Sequence, residues 1–120
     1  MARSLLVKCT AGPQDAERSN QALTVAASAV AAGVPVSLWL TGDSVWFGVE
    51  GRTPDLGLPY ATPAGDLVAA VLAGGTLTVC TQCAQRRDIT EADLLPGARI
   101  AGAATFVEEA LAEDVQALVY

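Results

Sequence analysis

Cys80 and Cys83 stand three residues apart in the stretch LTVCTQCAQRRDIT, and the adjacent pair Arg86 and Arg87 follows them. Thiols at this spacing offer four roles: metal ligands, a dithiol–disulfide couple, a nucleophile that carries sulfur, or plain packing. The thiolate is the reactive form in the first three, so whatever lowers a thiol pKa belongs to the site. A helical turn beginning just after Cys80 supplies unpaired backbone N–H groups that favour the anion. Arg86 and Arg87, about a turn and a half further on, add positive charge. The plain alternative for the two arginines is a solvated helix face.

The chain contains no histidine. That excludes a Ser-His-Asp triad, a Cys-His thiol protease and histidine-ligated zinc or haem. A structural zinc site needs four ligands, and Cys9 adds at most a third thiolate to Cys80 and Cys83, so no metal is expected. A thioredoxin-like dithiol is compatible with Cys-x-x-Cys at a strand–helix junction. The motif, however, follows the third strand instead of opening the first βα unit. Persulfide transfer requires an accessible low-pKa thiolate and a docking surface, and neither histidine nor cofactor. Flanked by Thr81, Gln82, Gln85 and two arginines, Cys80 and Cys83 do not read as core. Cys9, which ends an apolar strand without a partner motif, reads as packing.

At 120 residues the chain makes one domain, and 52% hydrophobic against 5% aromatic residues gives an aliphatic, alanine-rich core. So much apolar surface on so small a chain leads us to expect self-association. The formal charge is −6, with one lysine, Lys8, and arginines scattered apart from the Arg86–Arg87 pair. With a pI near 4.3 this argues against a direct nucleic-acid partner. ALTVAASAVAAGV is too short to span a bilayer, and MARSLLVKC lacks a signal-peptide core, so a cytoplasmic protein with reduced thiols is expected.

The elements that must position the cysteines alternate. Ser4–Lys8 reads as a strand, Asp15–Ala32 as a helix closed at Gly33, and Val34–Leu40 as a second strand. Val45–Val49 suits about one helical turn, and the proline-rich RTPDLGLPYATP a loop. Gly65–Ala73 reads as a helix, Thr76–Cys80 as a strand, and ITEADLLPG as a turn capped by Thr90. ARIAG, Ala103–Glu113 and VQALVY complete the series as strand, helix and strand. Nearly continuous apolar strands alternating with helices describe an α/β sandwich: a mostly parallel sheet of about five strands with helices on both faces. Chemistry in such sheets collects at the carboxyl ends of strands. Three segments arrive there, and they make Cys9, Trp46 and Phe47 pocket candidates beside Cys80 and Cys83. For the two aromatics, core or subunit interface is the plainer reading, and Trp39 is assigned to the core.

The ordered set of motifs resembles the DsrE/DsrF-like sulfur-relay family of the TusD and YchN type, nearly end to end. LLVKCTAGPQDAERSNQALTVAASAVAAGVPVSLWLTGDSVWF is similar to the family's opening, LTVCTQCAQRRDIT to its cysteine segment and DVQALVY to its closing strand. The resemblance implies an α/β sandwich that assembles as trimers or hexamers. It also implies a sulfurtransferase-like carrier in which a cysteine accepts a persulfide from a donor protein and passes it to an acceptor. The family's C-x-x-x-x-x-R-R spacing puts that cysteine on Cys80, with Arg86 and Arg87 following, and relatives of the YchN type carry a C-x-x-C here as Cys80 and Cys83 do. On this reading we expect Cys83 to be an accessory or resolving thiol and Arg86 and Arg87 to stabilise the anion. Asp88 stands where the motif is often followed by glycine. Two other readings stay open: a non-catalytic oligomeric module that binds a small ligand or a protein, with structural cysteines, and a dithiol redox protein.

Overall fold

Runs such as SLLVKC and TLTVC are apolar on both sides of the strand, which only a sheet covered on two faces can use. The computed structural model describes residues 3–120. Its strands are β1 (Ser4–Cys9), β2 (Val36–Leu40), β3 (Thr76–Cys80), β4 (Arg99–Ala101) and β5 (Val115–Val119). They form one sheet in the order β4-β3-β2-β1-β5, with every neighbouring pair parallel. The helices are α1 (Ala16–Ala31), α2 (Ala64–Gly74), α3 (Thr81–Gln85) and α4 (Ala103–Ala110). Steps from β1 to β4 run in one direction across the sheet, and the return to β5 reverses it. Right-handed crossovers therefore put α1 and α2 on one face and α4 on the other.

Several boundaries follow from backbone chemistry. Strand β2 begins at Val36 because Pro35 has no N–H for a ladder, although its carbonyl still accepts from Leu5 at 2.9 Å. The segment expected as one helical turn at Val45–Val49 is a longer 3-10 helix, Gly42–Gly48. The last helix, expected to run to Glu113, stops at Ala110, and Asp114 takes a positive φ of 60° as the chain turns into β5.

The two faces differ in kind. On the α1/α2 face, Val7, Cys9, Leu38, Leu40, Leu77 and Val79 pack with Ala22, Leu23, Ala26, Val68 and Val71. Alanine on α1 lets the helix approach the sheet closely, which is how an alanine-rich chain fills a core. The α4 face is partly polar. Trp39 is buried there with its ring edge-on to Phe106, the centroids 5.3 Å apart. Glu109 of α4 accepts hydrogen bonds from Ser37 Oγ at 2.6 Å and Trp39 Nε1 at 3.2 Å, and it pairs with Arg99. Arg99 in turn donates to the buried Thr78 hydroxyl at 2.8 Å. Beyond this network, Val107, Leu111 and Val119 are 51%, 81% and 64% exposed, an apolar strip along α4 and the edge strand β5.

Glu109 thus fastens α4 to the sheet. Burial works against its charge, but the hydrogen bonds from Ser37, Trp39 and Arg99 and the arginine's charge outweigh it and hold the carboxyl below its usual range. A group titrating lower in the folded chain stabilises fully above its unfolded pKa, and that contribution is lost as pH falls through the folded value. Urea unfolding across the acidic range should show wild-type stability declining more steeply with acid than that of Glu109→Gln. Parallel slopes would remove Glu109 from the acid response.

Candidate functional site

Cys80 is the last residue of β3 and the N-cap of α3, with extended backbone (φ −63°, ψ 130°). Its thiol is partly exposed, whereas those of Cys9 and Cys83 are buried. Partial burial raises the Cys80 pKa. The backbone N–H and thiol of Cys83, the backbone N–H of Gln82 and the charge of Lys8 outweigh that and leave the thiol below its ordinary value. Lys8, Trp39, Thr78 and Arg99 form one cross-strand row. Side chains alternate along a strand, so Cys80, two residues after Thr78, lies on the α4 face with Lys8. The Lys8 ammonium sits 5.0 Å from the centroid of the Phe106 ring, which keeps it against the sheet instead of free in solvent.

Cys83 is set by a different element, the turn after β2. The Cys9 carbonyl accepts the Thr41 N–H at 3.0 Å, the Thr41 hydroxyl at 3.3 Å and the Ser44 hydroxyl at 2.7 Å. Gly12 closes the other side: a Cβ there would lie 2.6 Å from the Asp43 carbonyl oxygen, so only glycine lets the two loops touch. The turn so fixed does two things for α3. The Gly42 N–H donates to Cys83 Sγ at 3.2 Å. The Asp43 carboxylate receives Arg87 Nε at 3.1 Å and Nη2 at 2.9 Å, while Arg87 Nη1 donates to the Cys83 carbonyl at 3.0 Å.

The residues singled out from sequence therefore separate. Cys80 and Cys83 come together. Arg87 staples α3 to the Asp43 turn, and exposed Arg86 reaches only Gln82 Oε1, at 3.5 Å. Neither arginine is among the groups that lower the Cys80 pKa; the cation that acts on it is Lys8. Cys9 and Phe47, expected as pocket candidates, are fully buried in the core on the α1/α2 side. Cys9 shares a register row with Leu40 and Val79, so it points to the sheet face opposite Cys80. Burial pushes its thiol pKa up, and it donates to the Ala11 carbonyl at 3.3 Å. Trp46 does line a cleft, of about 390 Å³, together with Arg52, Arg87 and Asp88, and Arg52 stacks 4.5 Å above its ring. Neither Cys80 nor Cys83 lines that cleft.

Sequence reasoning missed Lys8, Gly42 and Asp43 as parts of the site. Lys8 carried one usable signal, as the single lysine and the one charge inside a core strand. Asp88, standing where glycine is common, adopts φ 55°. The left-handed conformation is one that aspartate tolerates better than most residues, so the turn out of α3 survives the exchange.

The arrangement provides a partly exposed thiol with a lowered pKa and a buried thiol three residues on, at the first turn of a short helix. Among the described residues no three Cys, Asp or Glu side chains converge as metal ligands. Iodoacetamide at limiting concentration should modify Cys80 before Cys83 and Cys9, with a reaction midpoint below that of an ordinary thiol. Removing the cation raises a thiol pKa, so Lys8→Met should move the midpoint to higher pH, as read by alkylation rate against pH and peptide mass mapping. An unmoved midpoint would take Lys8 out of the site.

Comparison with known proteins agrees with this fold. An uncharacterized protein of Methanopyrus kandleri, MK0008, is 28% identical over 97 residues, covering 81% of this chain and 78% of its own. The crystal structure of the YchN protein of E. coli matches with a TM-score of 0.82 at 20% identity, covering 98% of this chain and 99% of its own. MTH1491 of Methanobacterium thermoautotrophicum, a protein of unknown function, matches with a TM-score of 0.71 at 13% identity over the full length of both chains. These two structural likenesses establish the fold. The family model of the DsrE/DsrF-like family matches residues 3–116, the cysteine segment included, and the chain belongs to that family.

Proposed function

We propose that the protein is a sulfur carrier of the sulfurtransferase type, in which the Cys80 thiolate accepts a sulfane sulfur and holds it as a persulfide. The carrying observation is Cys80 itself. It is the partly exposed one of three cysteines and the one whose pKa is lowered, and it sits at the carboxyl end of a strand in a parallel sheet. The N–H groups of Gln82 and Cys83 that stabilise the thiolate also face a persulfide anion or the thiolate released when sulfur departs. No histidine is required, because backbone N–H groups and Lys8 already lower the thiol pKa without a base. Membership of the family supports the relay reading in its general form. Donor and acceptor are then proteins that present a sulfane sulfur and a thiolate to the exposed rim of β3 and α3. A relay of this kind places the protein in the reducing cytoplasm, where free thiols persist. No helix among the described residues is long and apolar enough to cross a membrane.

The strip of Val107, Leu111 and Val119 supports self-association, trimeric or hexameric, through α4 and the open edge of β5. A second copy is the natural occupant, because the strip continues the layer that α4 only half covers.

Incubation with a cysteine desulfurase and cysteine should add the mass of a sulfur atom to the intact wild-type chain and nothing to Cys80→Ser. An adduct retained by Cys80→Ser, or none on either wild type or Cys83→Ser, would sink the assignment. For assembly, light scattering after gel filtration should give a multiple of the 12.2 kDa chain mass, reduced to the monomer by Leu111→Glu. A monomeric wild type would discard the interface.

A further inference from the structure

Cys83 is a buried nucleophile that simple relay through Cys80 leaves without work. Three features of its setting go beyond packing. It lies three residues after Cys80, the N-cap of α3, so the two cysteines share the first turn of one short helix. Its thiol and backbone N–H both act on the Cys80 thiol and favour its anion. Its own sulfur accepts the Gly42 N–H at 3.2 Å, a contact made across to the turn after β2. That donor is held rigidly: Gly42 has φ +56°, and a Cβ there would press within 3.1 Å of the Thr10 carbonyl oxygen. The asymmetry of exposure completes the picture, since an outside donor reaches Cys80, and Cys83 is reached through Cys80.

We infer that Cys83 is a resolving thiol, which makes this protein capable of releasing its cargo as free sulfide as well as passing it on. The inference rests on the reading of Cys80 as the carrier. In the step, the Cys83 thiolate attacks Sγ of the Cys80 persulfide. The Cys83–Cys80 sulfur–sulfur bond forms, the bond from Cys80 Sγ to the outer sulfur breaks, and hydrosulfide leaves with the electron pair of that bond. The sulfane sulfur is reduced by two electrons to sulfide, and the two cysteine sulfurs are oxidised to a disulfide. An external dithiol, such as a thioredoxin-type protein or dithiothreitol, then attacks the exposed Cys80 sulfur and restores both thiols, its own pair becoming the disulfide. The reaction downstream is accordingly one that consumes inorganic sulfide.

The test loads wild type and Cys83→Ser with sulfur from a desulfurase and cysteine, then removes donor and reductant. Sulfide is followed by bimane trapping and the chain by intact mass. Wild type should release about one sulfide per chain and end two hydrogens lighter than the reduced protein. Cys83→Ser should keep its extra sulfur and release at least tenfold less sulfide. Equal release from both, or a stable adduct on both with no disulfide, overturns the resolving role while leaving the carrier role standing. Sulfur on neither protein removes the carrier role instead. The reverse reaction then decides for Cys83 without any desulfurase: oxidised wild type treated with sodium sulfide should gain the adduct on Cys80 and regain a free Cys83. A disulfide that does not form, or does not open to sulfide, ends the proposal. Cys83→Ala, with its melting temperature measured alongside, separates lost chemistry from lost folding.

Discussion

A single backbone atom, the carbonyl oxygen of Cys9, collects three donors from the turn after β2. The rest of the site hangs on that contact. With Thr41 and Ser44 fixed to β1, and Gly12 in close approach to the Asp43 backbone, the turn cannot swing. Because it cannot, Gly42 aims its N–H at Cys83 and Asp43 holds Arg87 against α3. A five-residue helix has too few internal hydrogen bonds to be stable alone. Here it is held at one end by continuity with β3 and along its side by the Arg87–Asp43 pair. Cys9 matters to the cysteine site through its main chain, while its thiol packs in the core on the opposite face of the sheet.

The second constraint is electrostatic. In a chain with formal charge −6, a thiolate is an unwelcome addition unless positive potential is concentrated beside it. Two backbone N–H groups, the neighbouring thiol and one lysine supply it. Lys8 extends from the middle of the sheet, and the Phe106 ring that it overlies belongs to α4. The network that ties Glu109 to Ser37, Trp39 and Arg99 therefore positions the lysine as well as closing the second layer. That layer is thin, polar inside and apolar outside, unlike the closed aliphatic packing under α1 and α2.

Much of the architecture was legible because its signals are local. Apolar runs bounded by glycine and proline marked all five strands, and helical spacing of Leu23, Ala26 and their neighbours marked α1. Thr90 does form the expected cap, its backbone N–H and hydroxyl both donating to Asp93. The unusual flanks of Cys80 and Cys83 were visible as well. The roles of the charges were not. Arg86 and Arg87 are adjacent, yet on a helix adjacent residues point about 100° apart, and only Arg87 meets Asp43, 44 positions away. Trp46 and Phe47 divide in the same way along their 3-10 helix, one to the cleft and one to the core.

What the sequence by itself determined was the pair of candidate thiols and the strand that presents them. Histidine was missing, the thiols were three apart at the end of an apolar strand, and those facts need no neighbours to be read. Tertiary structure decided which cation serves the thiolate and which donor serves the buried thiol. Lys8 lies 72 positions before Cys80 and Gly42 lies 41 before Cys83, so neither pairing has a local signature. Both follow from the parallel register that brings Lys8 to β3 through β2 and the turn after β2 to α3. Register sets partners through space, and the period of two along each strand sets faces. That is why Cys9, one residue after Lys8, turns away from the site that Lys8 helps to charge.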